Sequence, residues 1–217
     1  MIIIQSTMRY GPEHKARTRE AILDAAGALF REEGYRGASI EAIMARAGLT
    51  IGGFYAHFSS KEDLFAAVIE HTAQATVSQR EEGLDGLQGA DWVAGLVRRY
   101  LSPGHLDHVA EGCTMPPLLS ELARSGTLPR DAFATAFDDF RNRVAAHLAT
   151  DPEAAARATA IIAAAVGAMS IARAMPDRAR AEAILHDARR QALNHLLGID
   201  AESTAPASPP SGVPDDE

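Results

Sequence analysis

The chain has 217 residues, of which 47% are hydrophobic and 23% charged, which is ordinary globular usage and excludes a disordered protein. The longest uncharged apolar run, Ala158 to Ala172, stops short of the ~18 to 20 residues that a membrane-spanning helix needs. The start, Met1 to Tyr10, has neither a basic region nor a small-residue cleavage site, so the expected location is the cytoplasm, with no membrane partner. A lone cysteine, Cys113, excludes an intrachain disulfide framework and any multi-cysteine zinc module. The net charge of −8 argues at first against a phosphate-rich partner. Its distribution changes that, because residues 1–60 carry 7 Lys and Arg against 6 Asp and Glu, whereas residues 61–217 carry 14 against 23. A near-neutral N-terminal unit on an acidic body is compatible with nucleic-acid binding if its basic groups share a face.

Apolar residues recur at helical spacing throughout, and no alternating strand pattern is present, so the predicted fold class is all-α. Residues 1–14 read as a flexible arm. A first helix is predicted near Lys15 to Glu33, with Ile22, Ala25, Ala26, Leu29 and Phe30 on one stripe and a left-handed cap at Gly34. Ser39 is placed to cap a second helix carrying Ile40, Ile43, Met44 and Ala47, which Gly48 ends. Thr50 is placed to cap a third, with Ile51, Phe54, Tyr55 and Phe58 repeating the spacing, and Ser59 or Ser60 opens a fourth with Glu62 or Asp63 closing a capping box. Later helices are expected at about 61–80, 90–101, 105–111, 116–125, 129–149, 152–175 and 178–197. Gly83, Gly86 and Gly89 mark a loop to which no chemistry is assigned, and residues 198–217, rich in Pro, Ser and acid, read as a disordered tail.

Two short helices joined at Gly48 have the dimensions of a helix-turn-helix, whose second helix enters the major groove. Gly52 and Gly53 lie inside that second helix, where each costs up to ~1 kcal/mol relative to alanine. Close approach of the helix backbone to nucleic acid compensates for such a cost; tight packing against the first helix is the structural alternative. Ala47-Gly48-Leu49-Thr50, followed by Gly52, Tyr55, His57, Phe58, Lys61, Glu62 and Leu64, resembles the DNA-binding domain of TetR-type transcriptional regulators, and the likeness extends over about residues 15–75. One departure is Ile51, where the family often has a basic or polar residue; an isoleucine suits a thymine methyl instead. The resemblance implies that Ser39 and Thr50 offer hydroxyl and backbone N–H groups to phosphates, that Tyr55, His57 and Lys61 touch the DNA backbone, and that Ile51, Gly52 and Gly53 face base edges. Phe54 and Phe58 match the core of the small domain, and Lys15, Arg17 and Arg19 are further phosphate candidates.

Residues 76–197 form the expected helical ligand-binding and dimerisation domain. The helix from Ala154 to Ala172 is apolar around most of its circumference, with Ile161, Ile162, Val166, Met169 and Ile171. With Leu185, Ala188, Ala192 and Leu196 of the last helix, it is the candidate for a four-helix interface between two copies. Trp92, Tyr100, His105, Cys113, Met115, Phe133, Phe137 and Met169 are candidates for lining an effector pocket, although such residues are more often plain core. Cys113 precedes a proline-started helix, which suggests a redox-responsive alternative; a buried inert thiol is the competing interpretation. His105, His108, Glu111 and Cys113 have poor metal-ligand spacing. Catalytic motifs are missing, so neither an enzyme nor a cofactor is expected. The resemblance thus implies a homodimeric regulator that binds a palindromic double-stranded DNA operator and is released by a small-molecule effector, with a helical adaptor that does not bind DNA as the alternative.

Overall fold

The computed structural model describes residues 12–81 and 83–199, and the described chain is helical from end to end without a strand. Helix α1 (Pro12–Gly37) starts earlier than expected, and Gly34 sits at φ +79, breaking the regular helix before one more turn. The first residues assigned to the flexible arm and most of those assigned to the tail lie outside the described residues; His14 is already within α1, and Ile199 packs against the body. Helix α2 (Ile40–Arg46) starts at Ser39, whose Oγ accepts the Ala42 N–H at 3.0 Å. It stops through a double hydrogen bond, Leu49 N–H to Met44 O at 2.8 Å and Gly48 N–H to Ala45 O at 3.0 Å, which requires the left-handed φ of +70 at Gly48. A bulkier residue there would be strained.

The third predicted helix is a 3-10 helix, Ile51–Ala56, rather than an α-helix. Thr50 has the extended backbone of an N-cap, and its carbonyl accepts the Gly53 N–H at 3.0 Å, but its hydroxyl caps nothing. Two consecutive glycines and a six-residue length leave little intrinsic helical preference, so packing sets the conformation. Helix α3 (Lys61–Glu81) opens with Asp63 N–H on Ser60 Oγ at 3.0 Å, while Asp63 Oδ2 accepts the Ser59 N–H at 2.8 Å. Asp63 rather than Glu62 therefore closes the capping box.

The body follows as α4 (Gly89–Tyr100), α5 (Pro103–Asp107), α6 (Met115–Leu122), α7 (Thr127–His147), α8 (Ala154–Arg173) and α9 (Arg178–Gln191), the last continuing as a π turn over Ala192–Leu196. The helix expected at 105–111 is instead α5, because Ser102 caps it through the His105 N–H at 3.2 Å and Pro103 fixes its first residue.

Two hydrophobic cores result. The first joins Ile22, Leu23, Ala25, Ala26, Leu29 and Phe30 of α1 to Ile43 and Met44 of α2, to Phe54 and Phe58, and to Leu64, Phe65 and Val68 of α3. Phe30 meets Phe65 edge-on at 5.4 Å, and Tyr35 stacks on Phe65 at 4.5 Å. Leu118 and Leu122 of α6 and Ala132 of α7 complete this core from beyond residue 76, so the body is docked onto the N-terminal unit. The second core is formed by α4, α7, α8 and α9 around Val93, Val97, Val144, Met169 and Leu185.

Polar ties reinforce the docking. Glu121 of α6 accepts the backbone N–H of Tyr35 at 2.7 Å and of Arg36 at 3.1 Å, just past the break at Gly34, and Arg31 donates Nε–H to Ala110 O. Both ties join residues about eighty apart in sequence.

Helix α8 bears on two expectations. By length and composition alone it is apolar enough to cross a membrane, with a mean hydropathy of 1.6 over its most apolar window, because such a window tolerates the flanking arginines that ended the uncharged run. Those arginines are tied inward, Arg157 to Leu196 O at 2.9 Å and Arg173 to His105 O at 2.8 Å, and Ala158, Ile161, Ile162, Ala165, Val166, Ala168, Met169 and Ala172 are buried in the body core. The residues nominated on the last helix for an intersubunit face, Leu185, Ala188, Ala192 and Leu196, also pack on this chain's own core. Periodicity locates an apolar face without saying which neighbour covers it. The outward face of α8, Ala156, Ala160, Ala163, Ala164 and Ile171, remains exposed in the single chain.

Phe30 is fully buried against Phe65 in the first core, so Phe30→Ala is expected to lower the stability of the folded chain by ~3 to 5 kcal/mol. Urea unfolding followed by circular dichroism checks this; a loss under ~1 kcal/mol would contradict the packing described.

Candidate nucleic-acid interface

The segment from Ser39 to Lys61 presents one set of residues inward and another outward. Phe54 is fully buried and Phe58 2% exposed, which fastens the 3-10 helix to α1 and α3. Around these anchors Thr50, Ile51, Gly52 and Tyr55 are exposed, Tyr55 by 70% and Ile51 by 47%. Single exposed apolar side chains are common, whereas several gathered with polar neighbours mark an interaction surface. Tyr55 rests edge-on against Phe54, with ring centroids 5.1 Å apart, so the phenol is held outward by a buried neighbour.

The two glycines can be weighed directly. A Cβ added at Gly52 would meet no atom within 4 Å among the described residues, and one at Gly53 would meet only the Met44 methyl at 3.7 Å. Neither contact involves α1, so the suggestion that these glycines allow tight packing against the first helix fails. The protein's own packing leaves room for alanine at both positions, and at the exposed Gly52 the space saved lies on the outer side.

Basic groups gather at one end of this surface. His57 Nδ1 is buried without a hydrogen-bond partner among the described residues. Burial lowers the His57 pKa, and the nearby charges of Lys15, Arg19 and His14 lower it further, which favours a neutral imidazole. Arg19 lies over the Phe58 ring at 4.9 Å, so the start of α1 is brought beside the end of the 3-10 helix. Arg17, the third basic candidate there, is exposed on α1. Ser39, at the start of α2, is exposed; its oxygen accepts the Ala42 N–H, and its hydroxyl proton remains available to a phosphate. Lys61 is half-buried with its ammonium over the Tyr35 ring at 4.7 Å, and burial lowers its pKa. A phosphate contact by Lys61 requires it to leave that ring.

The residues nominated for an effector pocket are scattered. A wholly apolar cavity of about 30 Å³ lies between α4, α7 and α8, lined by Leu96, Val97, Val144, Ile162 and others. Of the nominated residues only Tyr100 and Met115 reach it. Trp92 stacks on His147 at 3.9 Å, Met169 is fully buried in the body core, and Phe133 and Phe137 lean on each other at 6.0 Å, with Phe133 turned to the first core. His105 is locked by backbone: its Nδ1 meets Tyr100 O at 2.8 Å, and its Nε2 accepts the Cys113 N–H at 3.1 Å. With both ring nitrogens engaged, His105 is a poor metal ligand, and no cluster of three or more metal-ligating residues occurs among the described residues. Cys113 is 3% exposed, with the partly buried charges of Arg31 and Arg173 nearby. That burial restricts access by a reagent.

The sequence did not point to His14, Tyr35 or Glu121, whose roles depend on contacts distant along the chain; the charge pattern at the start of α1 was the sole available signal.

Comparisons with known proteins agree with this geometry. The family model for bacterial regulatory proteins of the tetR family matches residues 22–68. The chain is 34% identical over 76 residues to the HTH-type transcriptional regulator UidR of Escherichia coli, which is 35% of this chain and 39% of that protein. It is 43% identical over 68 residues to the HTH-type transcriptional repressor NicS of Pseudomonas putida, 31% and 32% of the two chains. The matched stretch thus spans less than half the length of these curated relatives. Among solved structures, reduced NemR of Escherichia coli superposes with a TM-score of 0.71 at 21% identity, covering 85% of this chain and 97% of that one. A TetR transcriptional regulator from Chloroflexus aurantiacus superposes with a TM-score of 0.69 at 26% identity, covering 82% and 96%. Residues 22–68 thus carry a helix-turn-helix unit that matches bacterial regulatory proteins of the tetR family, followed by a helical body similar in fold to solved TetR regulators.

Proposed function

We propose that this protein is a sequence-specific DNA-binding transcriptional repressor that acts as a homodimer and is released from a palindromic operator by a small molecule. It is read as a binding protein in the cytoplasm and not as an enzyme. The observation that carries the reading is the rigidly backed, outward face of Thr50, Ile51, Gly52 and Tyr55, with glycines that internal packing does not require. The names of the curated relatives, transcriptional regulators and repressors, support it.

In this reading the 3-10 helix enters the major groove, Ile51 meets a thymine methyl, and Gly52 and Gly53 admit the base edges. Thr50, Ser39, Tyr55 and the basic end of α1 hold phosphates and set the register. The acidic body keeps the rest of the molecule off the DNA by repulsion. The exposed small-residue face of α8 supplies the proposed contact with a second copy, because alanine and glycine let two helices approach closely, and two-fold symmetry puts both recognition segments on one side. Half-sites one helical turn apart, ~34 Å, or a multiple of it, follow from that geometry.

Ligand release works through the body. Glu121 on α6 holds the backbone of Tyr35 and Arg36, a few residues before α2, so a shift of α6 is transmitted to the helix-turn-helix. An effector that prefers the shifted conformation by ~1 to 3 kcal/mol suffices for regulation. FadR of Bacillus subtilis, a fold relative at 17% identity, was crystallised with stearoyl-CoA, but the body cavity here, about 30 Å³, holds no acyl chain as it stands.

Selection of bound fragments from genomic DNA tests the reading: enrichment of a near-palindrome supports it, and none at low salt would overturn it. On the selected site, Tyr55→Ala and Lys15→Ala are expected to weaken binding to all sequences alike, and Lys15→Ala also to lower the salt slope by about one. Ile51→Gln should instead change the base preference at one position in each half-site, read by competition between operator variants.

Gly52→Ala separates the two explanations for the glycine. Its melting temperature should stay the same or rise, since the new methyl meets no atom of the protein, while operator affinity falls roughly tenfold or more. Unchanged affinity would remove Gly52 from the interface.

Ala164→Glu places a charge in the middle of the exposed α8 face and is expected to yield monomers by analytical ultracentrifugation, with loss of operator binding. A dimer that survives this change does not use α8 in the manner proposed.

A further inference from the structure

We propose that the crevice between α1, α3 and the loop after α5 is a binding site for a small monocarboxylate, anchored by the guanidinium of Arg31. The crevice has a volume of about 260 Å³, several times that of the body cavity and just under the ~300 to 1,000 Å³ of pockets for larger organic ligands. Its walls come from both units of the protein: Asp24 and Arg31 on α1, Arg46 on α2, His71 on α3, and Ala110 with Glu111 on the loop.

Arg31 differs from the other basic groups of this wall. Arg46 is paired with Glu32 at 2.5 Å, and His71 meets Asp24 at 2.8 Å. Arg31 donates its Nε–H to Ala110 O and has no carboxylate within 4.0 Å among the described residues, although Glu111, Glu32 and Asp24 all act on it from further away. Burial lowers its pKa, so the guanidinium is a charge partly withdrawn from water without an ion-pair partner. The chain makes room for it, since a Cβ at Gly27 would come within 3.2 Å of Arg31 Nη1. A half-buried cation with unpaired terminal amino groups, at the wall of an open crevice, matches a bidentate oxyanion.

The remaining wall narrows the ligand class. Asp24 and Glu111 at the crevice repel a second negative charge, which disfavours phosphate monoesters and dicarboxylates at neutral pH. Leu23, Gly27, Ala28 and Ala110 offer an apolar surface for a short hydrocarbon or aromatic portion. A carboxylate on Arg31 with such a body fits both features. Because Arg31 is tied to Ala110 across the junction, a bound molecule touches the N-terminal unit and the body at once. Its effect on operator binding rests on the function proposed above; the binding step does not.

The test is calorimetric titration of the full chain, without DNA, with acetate, butyrate, benzoate and phenylacetate in turn, and with benzamide and inorganic phosphate as charge controls. Saturable binding of at least one carboxylate, one per chain, is expected, with benzamide and phosphate weaker by roughly tenfold or more. Arg31→Gln and Ala28→Leu, the second filling the crevice without altering any charge, should each weaken binding by a similar factor. Absence of saturable binding by all four carboxylates would overturn the proposal, as would binding that survives Ala28→Leu in a chain shown by its melting curve to be folded. Should Arg31→Gln fail to fold, Ala28→Leu decides alone. Failure to select any operator would overturn the regulatory reading and leave this titration unaffected.

Discussion

The outward face of the 3-10 helix exists because of the burial of Phe54 and Phe58 beneath it. A six-residue helix with two glycines has no stability of its own in water, where isolated helices need about 12 to 15 residues even with favourable composition. Its shape is therefore borrowed from the core formed by α1 and α3, in which Phe30, Phe65 and Tyr35 are packed ring against ring. The same core fixes α2 through Ile43 and Met44. Every property of the candidate interface, from the angle of Tyr55 to the openness at Gly52, depends on this short segment being held from behind.

Helix α3 extends that constraint to the rest of the chain. It starts at Lys61, shortly after the 3-10 helix, contributes Leu64, Phe65 and Val68 to the first core, and runs on towards the body. Leu118 and Leu122 of α6 press on the same core, and Glu121 between them fastens the backbone past Gly34. The N-terminal unit is thus gripped through apolar packing and through hydrogen bonds to its backbone by one short helix. A displacement of α6 has few ways to be absorbed locally, because close-packed interiors transmit strain instead of yielding to it.

Much of this was legible along the chain, and the failures have definite causes. The stripe Ile22, Ala25, Ala26, Leu29 and Phe30, the cap at Ser39 and the helix stop at Gly48 are local features, and each stands in the structure where its spacing placed it. The likeness of the Ala47 to Leu64 motif to a known family rests on short-range spacing as well. The 3-10 form of residues 51–56 was not legible, because it is set by what Phe54 and Phe58 touch. Nor were the ties of Glu121 to Tyr35 or of Arg31 to Ala110, since each joins residues far apart in sequence. On the last helix, Leu185 and Leu196 were recognised as one apolar face, and in the single chain Leu185 is buried in the body core while Leu196 is partly buried against it. Of the aromatic residues nominated for an effector pocket, Trp92 and Tyr100 are buried in the body core and Phe133 and Phe137 are partly buried against the two cores, a distinction that composition alone does not carry.

The body cavity between α4, α7 and α8 is apolar and about 30 Å³ in volume, room for little more than a single water molecule. An effector that acts from within the body must therefore meet an expanded minority of molecules in which α4 and α8 have drawn apart. Its apparent affinity is its affinity for that minority scaled by the fraction present, so the threshold of the response is set by the cohesion of the core as much as by contacts with the ligand. In the proposed regulator, trimming Ile162 or Val166 at the cavity wall would enlarge the minority and sensitise the response, while adding methyl groups there would blunt it without touching the candidate interface. Sensitivity in such a protein is adjusted through the packing density of its interior.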